Sequence, residues 1–175
     1  IKKELMRIIK KASKDLMVER KRKTSDEHVD LIKEFLKIKK PPSHIKELYL
    51  RIPEYVALSD TAFVLNSRDK KGRLTAFYVV ELEAKDFAVY VAGCHSKKNY
   101  VPYSSDLLFL ELINLSRDNA KSFIHLGLGV NEGIRRFKEK WGGYAFLRYE
   151  FFEYTSPEIH TQRLSLIKKL ESKLI

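Results

Sequence analysis

Apolar residues recur at helical spacing from the start of the chain: Leu5, Ile8, Ile9 and Ala12 share one face of residues 1–13. The segment 15–23 (DLMVERKRK) opens by alternating apolar and charged positions, which predicts a short strand. Ser25 then predicts a helix start, because its side chain can cap and Asp26 and Glu27 favour the first turn. Val29, Ile32, Phe35 and Leu36 give that helix its apolar face, and Pro41-Pro42 ends it. A further helix is predicted from Ser43 to about Arg51, with Pro53 as the break after it.

The next stretch reads as strands. YVALSDTAFVLN (55–66), RLTAFYVVELE (73–83) and FAVYVAGC (87–94) predict an antiparallel meander. SRDKKG (67–72) is its first turn, with Gly72 free to take a positive φ. Residues 104–120 are apolar nearly all round for three turns, which predicts a helix buried on more than one side. SFIHLGLG (122–129) predicts a short strand, and 131–141 a helix stopped by Gly142-Gly143. YAFLRYEFFEY (144–154) predicts an aromatic strand. Leu164, Ile167, Leu170 and Leu174 predict a terminal helix over 157–175. Three antiparallel strands followed by one reached through a crossover helix require a mixed sheet. The expectation is one α/β domain over 1–175, with a core at about 15–154 and helices on both faces of the sheet.

With 175 residues and 44% hydrophobic positions, the chain can bury a real core. Cys94 is the sole cysteine, which excludes an intramolecular disulfide and a thiol-rich metal site, so no metal is expected. A reducing, cytoplasmic location is the matching expectation. No apolar run reaches the ~18 residues of a membrane span. The formal charge of +11 suits a solvated lysine surface or an anionic partner. No compact nucleic-acid motif accompanies it.

The segment NEGIRRFKEKWGG (131–143) changes the picture. Its Asn131, Ile134, Phe137-Lys138 and Gly142-Gly143 fall at offsets that resemble the GNAT acyltransferases, and FKEKWGG is most similar to their FemXAB-like branch. The likeness covers about 15–154 in element order and is residue-specific over about 100–149. It implies a GNAT-like acyl-CoA N-acyltransferase fold and transfer of an acetyl or aminoacyl group to a primary amine. The implied donor is acetyl-CoA or another acyl-CoA, with tRNA as a donor carrier in parts of that branch. The implied acceptor is a small-molecule or peptide amine.

In such a fold two neighbouring parallel strands part, and their free backbone groups hold an extended donor as an added strand would be held. The parting is expected between 87–94 and 122–129, which makes Ala92, Gly93 and Cys94 candidate donor contacts. Gly93, Gly127 and Gly129 lie where backbone must bulge or approach closely. The helix after it would face the donor's phosphates. GNAT enzymes commonly carry an Arg/Gln-x-x-Gly-x-Gly/Ala loop there. This chain has KNYVPYSSD (98–106) instead, so Lys98, Tyr103, Ser104 and Ser105 are the cofactor candidates, with Asn131 and Phe137 of the motif. Asp106 puts a negative charge where a phosphate would sit.

Acyl transfer needs a neutral amine, a polarised carbonyl and a proton for the leaving group. Lys138 stands where the resemblance has its general-acid tyrosine, and a lysine ammonium there could stabilise the developing oxyanion or hold a phosphate. Glu81 and Glu83, on one face of their strand, are candidate bases, and Tyr90 a candidate for proton transfer. His125, on an apolar strand, is expected to be buried and satisfied. Cys94-His95 is too sparse to ligate a metal. The competing reading is a GNAT-fold module without chemistry that binds an acidic partner or nucleic acid.

Overall fold

A computed structural model of the chain describes residues 3–127 and 131–145. Ile1–Gly143 form one compact unit and Tyr144–Ile175 a second; the site lies within the first. The expected strand over 144–154 and helix over 157–175 fall largely outside the described residues.

The elements of the first unit are α1 (Lys3–Ala12), β1 (Leu16–Lys21), α2 (Asp26–Lys39), α3 (Ser43–Leu50), α4 (Ile52–Leu58), β2 (Ala62–Asp69), β3 (Leu74–Glu81), β4 (Phe87–His95), α5 (Ser104–Asp118), β5 (Phe123–His125) and α6 (Glu132–Lys140). The sheet runs β1-β2-β3-β4-β5 in spatial order. The first four strands are antiparallel, and β5 joins β4 in parallel after the α5 crossover. This is the mixed α/β sheet, helices on both faces, that the periodicity predicts.

Two elements depart from the sequence expectation: the strand expected over 122–129 is only Phe123–His125 among the described residues, and the strand expected from 55 starts late. Residues 55–58 are the second half of α4, and the strand begins only at Ala62. Pro53 explains the difference: it stands in the first turn of α4, where its missing N–H costs nothing, so it starts a helix rather than ending one. The turn expected over 67–72 shrinks because β2 runs on to Asp69. Asp69 Oδ1 accepts from the Lys71 and Arg73 N–H groups, and Gly72 takes φ 77°.

β3 is buried along almost its whole length because both faces of the sheet are covered. Phe77 and Val79 face α2 and α4, meeting Leu31, Ile32, Leu36, Ile52 and Val56. Ala76, Tyr78 and Val80 face α5, meeting Leu108, Phe109, Leu112 and Leu115. The all-round apolar character of α5 is thereby used: Leu107 turns instead toward α1 and packs with Ile9, Ala12 and Leu16.

α2 is docked by a polar thread as well. His28 Nδ1 accepts from the Ser25 N–H (3.0 Å), closing a capping box, and its Nε2 meets Asn66 Oδ1 of β2 at 2.9 Å. Accepting at Nδ1 makes Nε2 the donor. His28 and Asn66 are almost wholly buried. His28→Ala is therefore expected to cost about 2–4 kcal/mol, combining a cavity with an unsatisfied buried amide. Urea unfolding of the two proteins measures this, and a loss below about 0.5 kcal/mol would show that the thread does not anchor α2.

Candidate site at the parting of β4 and β5

β4 and β5 are paired only at their starts: Phe87 with Phe123, Ala88 with Ile124 and Val89 with His125. The Asp86 carbonyl clamps this end by accepting from the Ser122 and Phe123 N–H groups at 2.9 and 3.2 Å. Two features stop the pairing. On β4 the register against β3 slips between Val79 and Val80, so Val91 is an extra, half-exposed residue and the strand bulges. On β5, Gly127 takes φ 65°, a conformation open to glycine, and diverts the chain.

From Tyr90 to His95, β4 has no strand partner on that side among the described residues. The Ser96 N–H donates to Thr75 O of β3 at 2.8 Å. Strand alternation then turns the backbone groups of Gly93 and His95 away from β3, into the opening. Backbone groups of this kind can pair with an added strand or a strand-like ligand.

Lys138 lies at this opening. Its Nζ donates to the Gly127 carbonyl at 3.1 Å, tying α6 to the end of β5, and burial holds its ammonium below the usual lysine range. Asn131 caps α6, its side chain accepting from the Ile134 N–H at 2.9 Å. Phe137 stacks edge-on against Phe109 of α5 (5.5 Å between ring centres). The motif thus fixes α6 beside the parting: Asn131 and Phe137 build the helix and its dock, and Lys138 alone of the three points a charge at the β5 terminus.

The other candidates divide. Tyr90 lies edge-on to Tyr78 with ring centres 4.9 Å apart, and burial raises its phenol well above the ordinary value. Its hydroxyl has no hydrogen-bond partner among the described residues, and it lies 2.3 Å from where a Cβ on Gly93 would stand. Gly93 is therefore glycine to admit the Tyr78 and Tyr90 rings, not only to admit a ligand. Ala92 and Cys94 pair with β3 and bury their side chains toward α2, and burial pushes the Cys94 thiol up to about 12. That thiol is inert at neutral pH.

At the loop, Tyr103 holds a left-handed φ of 67° and starts α5. The Ser104 hydroxyl donates back to Val101 O at 2.8 Å, and the Ser105 carbonyl accepts from Tyr78 OH at 3.2 Å. Asp106 is buried, accepting from Trp141 Nε1 at 3.1 Å and from Lys140 Nζ. The first turn of α5 thus carries its own, internally paired carboxylate. Lys98 contributes its backbone rather than its side chain: with Lys97 it donates an N–H to Glu34 of α2.

Glu81 and Glu83 do not fit the role of base. Glu81 lies opposite Val89, at the closed end of the β4–β5 pair. Burial alone would raise its pKa, but hydrogen bonds from the Tyr55 and Ser59 hydroxyls and the Leu82 N–H outweigh it, leaving a value of about 2. Glu83 accepts from Thr61 at 3.2 Å. Both carboxylates fasten the α4–β2 turn to the end of β3. His125 is exposed, not buried, because it stands on the short outer strand.

Sequence reasoning missed two groups. His95 ends β4 at the opening, its ring edge-on to Phe35 (6.4 Å), and burial with the nearby Lys39 and Lys97 charges keeps its pKa below the usual 6.5. No ring nitrogen of His95 has a hydrogen-bond partner among the described residues. Glu34 was missed because it contacts its partners from 62 residues away. No group of side chains among the described residues could hold a metal ion.

No protein-family model matches the chain, and no curated protein sequence matches it. Solved structures do resemble it. A ribosomal-protein-alanine N-acetyltransferase from Brucella melitensis biovar Abortus 2308 superposes with a TM-score of 0.60 at 13% identity, covering 79% of this chain and 99% of its own. An aminoglycoside acetyltransferase from an uncultured soil metagenomic sample, in complex with sisomicin, gives 0.59 at 12% identity over 82% and 97%. The acetyltransferase AAC(6')-Iy, in complex with a bisubstrate analogue that joins CoA to acetylneamine, gives 0.58 at 9% identity over 80% and 98%. At these identities the likeness shows the fold, which is the GNAT acyltransferase fold.

Two measurements check the packing around the site. Asp106→Ala should lower stability by about 1–3 kcal/mol and shift the emission of Trp141, the sole tryptophan, to longer wavelength. An unchanged spectrum would mean that Asp106 does not hold α6. Because the folded pKa of Glu81 is depressed, its stabilisation is present above the unfolded value of ~4.3 and is lost as pH falls through about 2. Glu81→Gln should flatten the acid limb of stability between about pH 5 and pH 2, measured by urea unfolding.

Proposed function

We propose that this chain is an N-acyltransferase that moves an acyl group from an acyl-CoA, or another activated donor, directly to a primary amine. The early end of the β4–β5 pairing carries the reading, because it leaves a strand-wide slot lined by the free backbone groups of Gly93 and His95. A thioester's extended arm, with amide groups along it, satisfies such a slot as a sixth strand would. The shared fold of the acetyltransferases, two of which are bound to an aminoglycoside or to a CoA bisubstrate analogue, supports it.

The amine attacks the thioester carbonyl, the tetrahedral intermediate collapses, and the carbon–sulfur bond breaks. A departing thiolate takes up a proton at a pKa near ~8.5, so an unperturbed lysine is too weak an acid to supply it readily. Burial lowers the Lys138 ammonium toward that value, and its anchor on Gly127 keeps it at the opening. His95, neutral at pH 7 and unpartnered among the described residues, takes the proton shed by the amine. FemXAB-like aminoacyl transfer from tRNA would use the same slot and the same lysine.

The test is isothermal titration with acetyl-CoA, then transfer to a panel of small amines and amino-terminal peptides. Lys138→Ala should lower kcat at least about tenfold while changing the melting temperature by no more than a few degrees. The pH profile of kcat/KM should rise through the His95 pKa, below 6.5, and fall through the Lys138 pKa, below 10.5. Equal losses of activity and melting temperature would make Lys138 structural, and failure to bind any thioester would end the acyl-CoA reading.

A further inference from the structure

At the mouth of the parting, immediately after β4, the chain makes a turn whose donors converge. The Ser96 hydroxyl and the Lys97 and Lys98 N–H groups all point at one spot, and the Asn99 N–H supports Ser96 Oγ from behind at 2.9 Å. Successive backbone N–H groups arranged in this way form a nest for an anion. The nest is already filled. Glu34, projecting from α2, places its carboxylate there, accepting from Ser96 Oγ at 3.0 Å, from the Lys97 N–H at 2.5 Å and from the Lys98 N–H at 3.1 Å. Burial works against the ionised Glu34, yet the three donors outweigh it and hold its pKa below the ordinary value.

The neighbouring anion site is neutralised as well. The N-terminus of α5 would attract a phosphate, but Asp106 occupies its first turn and is paired with Lys140 and Trp141. A diphosphate entering this mouth meets two carboxylates of the protein itself where it needs donors.

Resting on the acyl-thioester reading above, we propose that Glu34 is a specificity-determining residue that stands in for a donor phosphate, so that the chain selects its thioester by the pantetheine arm and acyl group and gains little from a nucleotide diphosphate. Donors that carry the same arm without a free nucleotide, such as an acyl-pantetheine or an acyl group on a carrier, are then used about as well as acyl-CoA. A nest contact to a charged oxygen is a charge-assisted hydrogen bond, and several together change affinity by about tenfold or more.

Calorimetric titration of the full chain with CoA, with pantetheine and with inorganic pyrophosphate tests this without knowledge of the acceptor. In the native protein, CoA and pantetheine should bind within about threefold of one another, and pyrophosphate should not bind at millimolar concentration. Glu34→Gln keeps a carbonyl oxygen for the Lys97 and Lys98 donors and removes the charge; Glu34→Ala empties the nest. Both should raise CoA affinity about tenfold or more and leave pantetheine unchanged. CoA binding about a hundredfold tighter than pantetheine to the native protein would overturn the proposal and leave the acyl-CoA reading standing. So would equal ratios in native protein and both variants. Binding of neither CoA nor pantetheine would overturn both.

Discussion

The site depends on a hydrogen-bond ladder that stops early. β4 and β5 share three residue pairs, and the rest of β4 keeps backbone donors and acceptors that no strand satisfies among the described residues. Unpaired edges are a liability, since any passing strand can dock on them. Here the edge is recessed rather than outer: β5 closes it at the bottom, and Lys138 at the Gly127 carbonyl borders it. The bulge at Val91, the left-handed Gly127 and the Asp86 clamp are the three local devices that create it.

A second theme is that the chain satisfies its own anion sites. Glu34 fills the nest after β4, Asp106 occupies the first turn of α5, and Glu81 collects donors from the α4–β2 turn. Glu34 and Glu81 reach their donors from remote segments, while Asp106 belongs to the turn it occupies and pairs with the remote Lys140 and Trp141. Each of these loops is thereby tied to a helix or strand. It also explains why Glu81 makes a poor base: the bonds that hold it hold it ionised, and a carboxylate with a pKa of about 2 has little tendency to take a proton.

The sheet order and the α5 crossover were legible because they rest on period, while the position of the parting was implied by the GNAT resemblance. β3 reads as a continuous apolar run since both its faces are covered, and α5 reads as all-round apolar since it meets the sheet and α1. The motif 131–143 located α6 for the same reason: a capping Asn131, one docking Phe137 and a glycine stop are local signals. Residues 55–58 misled because Tyr55-Val56-Ala57-Leu58 suits either a strand or a helix, and only Pro53 in the first turn decides. Glu34 and His95 were illegible for a different reason. Their roles come from partners that sequence distance hides, and neither sits in a pattern that marks it.

The positive charge of the chain takes on a narrower meaning in this setting. The arginines at the sheet's edge are consumed internally: Arg20 pairs with Glu111 and Asp118, and Arg68 with Glu19 and Glu27. Lysines remain, among them Lys37, Lys40 and Lys46 around an open groove of about 430 Å³ between α2 and α3. That groove lies on the same helix that supplies Glu34. Long-range attraction and short-range recognition are separate quantities: a field of many lysines raises encounter rates with an anion, while an occupied nest denies it a bound place. On the reading proposed above, an anionic donor is drawn to this face by charge and held by its uncharged arm, so that a chain of charge +11 does without a phosphate loop.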